Sequence, residues 1–285
     1  MFTLNCKGKI IGLERPLIMG IINATPDSFY RGDLAQGIDG VVQAAAVMIE
    51  NRADMIDIGG QSTRPGSKRI SCEEELERVI PVIKAIHERF PEAILSADTY
   101  HAAVAAAAVA AGASIVNDIS GGTMDRRMIP QVAALGVPYI CMHMKGTPET
   151  MQADPEYADV VKEVLEFFVA KTDECTKAGI RDVIIDPGFG FGKTIAHNLT
   201  LLRELAVFKM LDKPVLAGLS RKGTVYKTLQ VSVGEALNGT TVLNTIALLN
   251  GADILRVHDV REAREAVTLV EAYKKIAPLP ESDLY

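Results

Sequence analysis

The stretch DPGFGFGKT, Asp186–Thr194, ends as a phosphate-binding loop ends, in Gly192-Lys193-Thr194. Such a loop, G-x-x-x-x-G-K-[ST], cradles a nucleoside triphosphate with a glycine at its first position, and here Pro187 stands there. What precedes the stretch suggests a different use. Asp186 closes the apolar run DVIIDP (182–187), which reads as a strand buried on both faces that ends in a carboxylate. Whether this is a nucleotide loop of a doubly wound sheet or the rim of a barrel depends on how often that pattern recurs.

It recurs eight times. The runs are PLIMGIIN (16–23), DMIDIGG (54–60), AILSAD (93–98), SIVND (114–118), PYICMH (138–143), DVIIDP (182–187), PVLAGLS (214–220) and DILRVHD (253–259). Helical patterns separate them. One opens at Ser71 with Glu74 in capping-box spacing and carries Leu76, Val79, Ile80, Ile83 and Ile86, with Pro81 expected to kink it. Another runs from about Tyr157 to Ala178 and stops at Gly179. The last follows His258 and carries Ala263, Val267, Leu269, Val270 and Tyr273. Eight evenly spaced strand-helix units with no linker or change of composition predict a single-domain (β/α)8 TIM barrel over residues 1–285, with a short segment, 1–15, before the first barrel strand.

The ends of these runs are polar: Asn23, Asp57, Asp98, Asn117, His143, Asp186, Ser220, Arg256 and His258. One such residue caps a helix or holds a turn. A whole set of them, each desolvated at a cost of several kcal/mol if unpaired, predicts an active site at the C-terminal rim of the barrel. Asp98, Asn117 and Asp186 offer acceptors to a flat heterocycle that presents N–H donors, such as a pterin or guanine edge. Arg64, Lys222, Arg256 and His258 are suited to a phosphate or diphosphate, and Asn23 is a neutral ligand for Mg²⁺ when the diphosphate supplies the others. The long polar loops ATPDSFYRGDLAQG and GGQSTRPGSKRIS have the composition of lids.

The chain of 285 residues carries 30 Lys+Arg against 36 Asp+Glu, a net charge of −6, which argues against nucleic acid or anionic membranes as partners. Four cysteines without metal-ligand spacing, and no apolar stretch long enough for a signal or a span, predict a cytoplasmic protein.

Seven segments in order, NATPDSFYRGD, DIGGQSTRPGS, VNDISGG, MHMKGTPETMQ, DPGFGFGKTIAHNLTLL, LAGLSRKG and LRVHDVRE, resemble dihydropteroate synthases. The resemblance covers nearly the whole chain. It implies condensation of 6-hydroxymethyl-7,8-dihydropterin diphosphate with 4-aminobenzoate, releasing diphosphate and yielding 7,8-dihydropteroate, with Mg²⁺ as cofactor. It implies further that Asp98, Asn117, Met142, Asp186, Lys222 and Arg256 bind the pterin, and that Asn23, Thr63, Arg64, Arg256 and His258 bind diphosphate, with Asn23 on the metal. Thr63, Pro65, Phe191, Ser220 and Lys222 would frame 4-aminobenzoate, Lys193 and Thr194 would begin a helix, and two copies would pair through outer helices. The chain departs from the family pattern at Tyr30-Arg31-Gly32-Asp33, at Gln61 in place of Glu and at Gly223 where Ser is common. Two alternatives remain at this level: a non-catalytic pterin-binding relative, and a folate-dependent methyltransferase acting on a corrinoid protein.

Overall fold

The computed structural model describes residues 2–24, 34–61, 69–147, 151 and 155–276. A short antiparallel hairpin, β1 (Thr3–Cys6) and β2 (Lys9–Gly12), precedes eight parallel strands: β3 (Leu17–Asn23), β4 (Met55–Gly59), β5 (Leu95–Asp98), β6 (Ile115–Asp118), β7 (Tyr139–Met142), β8 (Val183–Asp186), β9 (Leu216–Ala217) and β10 (Ile254–Val257). Each of the eight falls inside one of the apolar runs read from the sequence. Their spatial order is β8-β7-β6-β5-β4-β3-β10-β9. A parallel bridge between Ile185 and Val215 joins the two ends of that order and closes the barrel.

The helices form the outer ring. They are α1 (Leu34–Glu50), α2 (Cys72–Arg89), α3 (Ala102–Ala111), α4 (Met128–Leu135), α5 (Val160–Ala178), α6 (Ile195–Arg203), α7 (Gly223–Leu229), α8 (Leu237–Leu249) and α9 (Val260–Lys275), with a 3-10 turn at Leu205–Leu211. Because side chains alternate along a strand, each strand supplies two populations. Ile18, Ile56, Ile58, Leu95, Val116, Tyr139, Ile185 and Leu255 face outward and form one core with the helices. The opposite parity faces the barrel axis, and its lower layer is apolar: Leu17, Met19, Met55, Ile94, Ile115, Ile140, Ile184, Leu216 and Ile254. Two residues further along, the same parity turns polar on five of the strands, at Asp57, Ser96, Asn117, Asp186 and Arg256.

The hairpin seals the floor. Leu4, Cys6 and Leu13 pack into the lower layer. The Asn5 N–H donates to the Asp182 carboxylate, just before β8, at 2.7 Å, and Lys9 Nζ donates to the Glu92 carbonyl at 2.5 Å. This hairpin lies within the segment expected only to precede the barrel; its alternation over four-residue strands is too short to stand out in the sequence.

Helix boundaries follow local chemistry, with one correction. Ser71 caps α2 by accepting from the Glu74 N–H at 3.1 Å, but the Glu74 carboxylate turns to Arg78 instead of completing a capping box. α2 runs unbroken through Pro81. α5 ends at Gly179, which adopts the left-handed conformation (φ 94°). On α9, Ala263, Val267 and Val270 are buried as expected, whereas Leu269 and Tyr273 point outward, 70% and 71% exposed.

One buried charge has a stability signature. Glu75, in the first turn of α2, is fully buried, and among the described residues neither carboxyl oxygen has a hydrogen-bond partner. The nearest cationic candidate, His101 Nε2, is 3.8 Å away and is itself held toward the neutral form by burial and Arg69. Burial raises the Glu75 carboxyl to about 8. A folded-state value above the unfolded one gives stability that is complete below the unfolded value and is lost as pH rises through the folded value. Glu75→Gln abolishes that dependence: between pH 5 and pH 8.5, urea unfolding should shift in favour of the variant, relative to the parent, by roughly 4 kcal/mol.

Candidate active site

The polar layer above the apolar one is set by strand register. Asn23, Gly59, Asp98 and Asn117 are successive neighbours across β3, β4, β5 and β6. Gly59 makes room in this ring, because a Cβ there would sit 3.2 Å from Asp98 Cβ. Asp57, one inward position below Gly59, is fully buried. From β10, two strands from β4 and three from β5, Arg256 reaches both carboxylates, Nε donating to Asp57 at 2.7 Å and Nη2 to Asp98 at 2.6 Å. The same Asp57 oxygen accepts from the Asn117 amide at 2.8 Å. Burial works against the Arg256 charge, but Asp57 and Asp98 outweigh it and hold the guanidinium more firmly charged than usual. Asp98 is pushed up to about 7 by burial, with Arg256 opposing and Asp57 adding to the rise.

Asn117 owes its position to the next residue. Asp118 faces outward and accepts from the Ser120 N–H and hydroxyl, the Gly122 N–H and the Tyr139 hydroxyl, at 2.7–2.8 Å. The VNDISGG turn is built around that one carboxylate.

Asp186 ends β8 opposite Met142 in β7. It accepts from the Gly188 N–H at 2.8 Å, and its carboxyl is raised by burial, with Lys222 opposing. Lys222 Nζ donates to the Phe189 carbonyl at 2.7 Å and lies 4.7 Å from the centre of the Phe191 ring. Burial lowers its ammonium to about 8, against the pull of Asp186. Tyr100, Ile119, Met142, Met151 and Phe191 form a separate apolar cluster above the polar layer. The result is a slot with carboxylates and an amide on one side, an ammonium on the other and an apolar wall, a setting for a flat, donor-rich ring.

At the rim, Ser220 and His258 meet. The Ser220 oxygen accepts from the His258 N–H at 3.2 Å and lies 3.0 Å from Nδ1. A hydroxyl donating to Nδ1 leaves the proton on Nε2, directed away from the serine. Desolvation, then the positive charge of Arg256, keeps the imidazole below its ordinary value and neutral. Between Ser220 and Lys222, Arg221 takes a left-handed turn (φ 52°), and its guanidinium clamps Asp259 at 2.9 and 2.8 Å. That clamp ties the β9 loop to the β10 loop. Asn23 is exposed at the end of β3. Among the described residues no three His, Cys, Asp or Glu side chains are arranged to hold a metal. One neutral oxygen fits Mg²⁺ only if the ion arrives with a phosphate group, which is how Mg²⁺ is commonly held.

The structure thus brings Asn23, Asp98, Asn117, Met142, Asp186, Phe191, Ser220, Lys222, Arg256 and His258 to one end of the barrel. Arg256 and His258, separated by one residue, share a side as their spacing requires. Thr63, Arg64 and Pro65, both expected lids and the Tyr30–Asp33 departure lie wholly or mostly outside the described residues. Gln61 accepts from the Ile70 N–H at 2.8 Å and from the Tyr100 hydroxyl at 3.3 Å. His143 is a correction: it lies one position past inward-facing Met142, so its ring points outward, away from the slot, to Lys193. Thr194 opens α6 in a capping box with His197, as expected, while Lys193 turns inward and is 2% exposed. Its ammonium is taken up by protein acceptors, which rules out the nucleotide-loop reading. Two site features had no ligand role in the sequence reading. Asp57 was visible as a polar strand end, but its pairing with Arg256 was not. The Phe189 carbonyl is backbone and leaves no mark in a sequence.

Comparison with known proteins agrees with this geometry. The family described as pterin binding enzyme matches residues 19–258. The dihydropteroate synthase of Escherichia coli K12 is 43% identical over 271 residues, covering 94% of this chain and 95% of its own. The Xanthomonas albilineans dihydropteroate synthase solved with 4-aminobenzoic acid superposes with a TM-score of 0.90 at 41% identity, over 96% of this chain and 99% of that one. The same organism's enzyme in complex with 7,8-dihydropteroate gives 0.87 at 38% identity, over 97% and 100%.

The Arg256 pairing predicts a pH-dependent cost. In Arg256→Met, Asp98 loses the counter-charge that opposes its rise, so its proton is held more tightly in the folded state. Destabilisation in urea unfolding should be roughly 3 kcal/mol at pH 8 and clearly smaller at pH 5, where the Asp98 carboxyl is protonated.

Proposed function

Since the chain belongs to the dihydropteroate synthase family of pterin-binding enzymes, we propose that its barrel rim binds 6-hydroxymethyl-7,8-dihydropterin diphosphate and 4-aminobenzoate and joins them. It is a transferase of folate biosynthesis: the arylamine nitrogen takes the place of diphosphate on the pterin methylene, giving 7,8-dihydropteroate. The observation that carries the site assignment is the inward ring in which Asp98 and Asn117 are register neighbours, with Asp186 two strands along the same sheet and Lys222 beside the loop that follows it.

In this reading Asp98, Asn117 and Asp186 accept from the pterin N–H edge, Lys222 donates to the ring oxo and nitrogen side, and Met142 packs on the ring. Arg256 stacks beside it. With Nε and Nη2 held by Asp57 and Asp98, Nη1 is left to reach the diphosphate. His258 donates from Nε2, and Asn23, Thr63 and Arg64 complete the anion site. Thr63, Pro65, Phe191, Ser220 and Lys222 frame 4-aminobenzoate. Mg²⁺ bound with the diphosphate, through Asn23, would offset charge on the leaving group. As the C–O bond breaks, positive charge spreads over the pterin, and the buried carboxylates stabilise it electrostatically. The arylamine is already nucleophilic at neutral pH, so no side chain need attack or act as a strong base.

Two further expectations belong here. Val242, Ile246 and Leu249 on α8, and Leu269, Tyr273 and Ile276 along and just past α9, are exposed apolar residues at i, i+4, i+7 spacing. A second copy of the chain would cover this face, so equilibrium sedimentation should show a dimer that Leu269→Lys dissociates. No helix among the described residues is long and apolar enough to cross a membrane, and all four cysteines are unpaired, in keeping with a cytoplasmic enzyme.

The direct test is product formation from the two substrates with Mg²⁺, with loss of turnover on chelation. Asp98→Ala and Lys222→Ala should each lower kcat/KM by about 100-fold or more while retaining the fold. Near-parental turnover by folded variants would remove the pterin-slot assignment.

A further inference from the structure

Lys193 is a buried ammonium that touches nothing in the slot. Its Nζ lies 2.9 Å from His143 Nδ1 and donates to the carbonyls of Phe191 (3.0 Å), Gly188 (3.1 Å) and His143 (3.3 Å). Burial and the Lys193 charge push His143 down to about 3, so its imidazole is neutral and Nδ1 is free to accept. The loop around Lys193 is pressed backbone to backbone against the chain after β7. A Cβ on Gly188 would fall 1.9 Å from the His143 carbonyl oxygen, and one on Gly192 2.3 Å from that of Lys145. Three carbonyls of this close-packed region share one donor, Lys193, whose ammonium burial lowers to about 7 against the pull of Asp186.

The carbonyls it gathers alternate with the groups that shape the slot. The Gly188 N–H holds Asp186, the Phe189 carbonyl holds Lys222, and the Phe191 ring lies beside the same ammonium. Gly188 and Phe191, on either side of Phe189, are the residues whose carbonyls Lys193 fixes, and the Phe191 N–H donates back to Gly188 at 3.0 Å.

We propose that Lys193, braced by His143, is a positioning residue for the arylamine half of the site. It fixes the loop carrying Phe191 and the Phe189 carbonyl, and through them the ammonium of Lys222. This rests on the functional reading above, in which Phe191 and Lys222 meet 4-aminobenzoate.

The experiment is steady-state kinetics of Lys193→Met, His143→Asn and His143→Leu, with fold checked by circular dichroism and active-site concentration by titration. Asn offers a side-chain oxygen in place of Nδ1; Leu does not. In Lys193→Met and His143→Leu the KM for 4-aminobenzoate should rise about tenfold, more than kcat per active site falls, and His143→Asn should restore KM to within about twofold of the parent. A role confined to stability would lower melting temperature and leave KM unchanged, and that result overturns the proposal. If Lys193→Met does not fold, the two His143 variants decide: equal KM values for Asn and Leu overturn it. Absence of turnover in the parent chain would instead overturn the functional reading, so the two failures are distinct.

Discussion

Taking Asp57 and Asp98 out of water costs several kcal/mol for each charge unless a counter-charge enters with them, and Arg256 is that counter-charge. The three groups come from β4, β5 and β10, so the bond network ties strands on both sides of β3 and β4 together. Asp57 also takes the Asn117 amide, which couples a fourth strand to the same cluster. A single guanidinium therefore fixes the relative placement of groups far apart in sequence before any ligand arrives, the preorganisation that electrostatic stabilisation of a transition state needs.

The rest of the molecule supports that layer from three directions. Below it lies an apolar layer of the same side-chain parity, which excludes water from under the charges. Around it, outward residues pack on the helices. Above it, loops are braced by side chains that do not enter the slot: Asp118 under the Asn117 turn, Arg221 on Asp259 between the last two barrel loops, and Lys193 inside the β8 loop. Each brace is a charged group satisfied by several backbone or side-chain partners, the condition under which burial of a charge is tolerated.

Much of this was legible in the sequence because parallel strands buried on both faces write themselves as apolar runs, and because the polar residue ending each run is out of place in a core. DVIIDP and DILRVHD identify both strand and rim at once. Parity explains what was missed. His143 ends its run as visibly as Asp186, but it lies one residue beyond Met142 and so faces outward; strand ends differ by one residue in register, and only coordinates fix that register. Asp57 was visible but its partner Arg256 is 199 residues away. Leu269 and Tyr273 look like core in composition alone, but Leu269 sits about 100° round the helix from Val270 and Tyr273 lies in the last turn, past the buried residues. The hairpin Thr3–Gly12 is too short for its pattern to register.

The closed floor also determines how molecules can pass. Inward apolar side chains fill the lower barrel and Leu4, Cys6 and Leu13 pack beneath them, so it is a cup and not a tunnel. Whatever settles deepest must leave by the opening through which it came. A second molecule resting above it is then a cork, so the deeper one must already be in place.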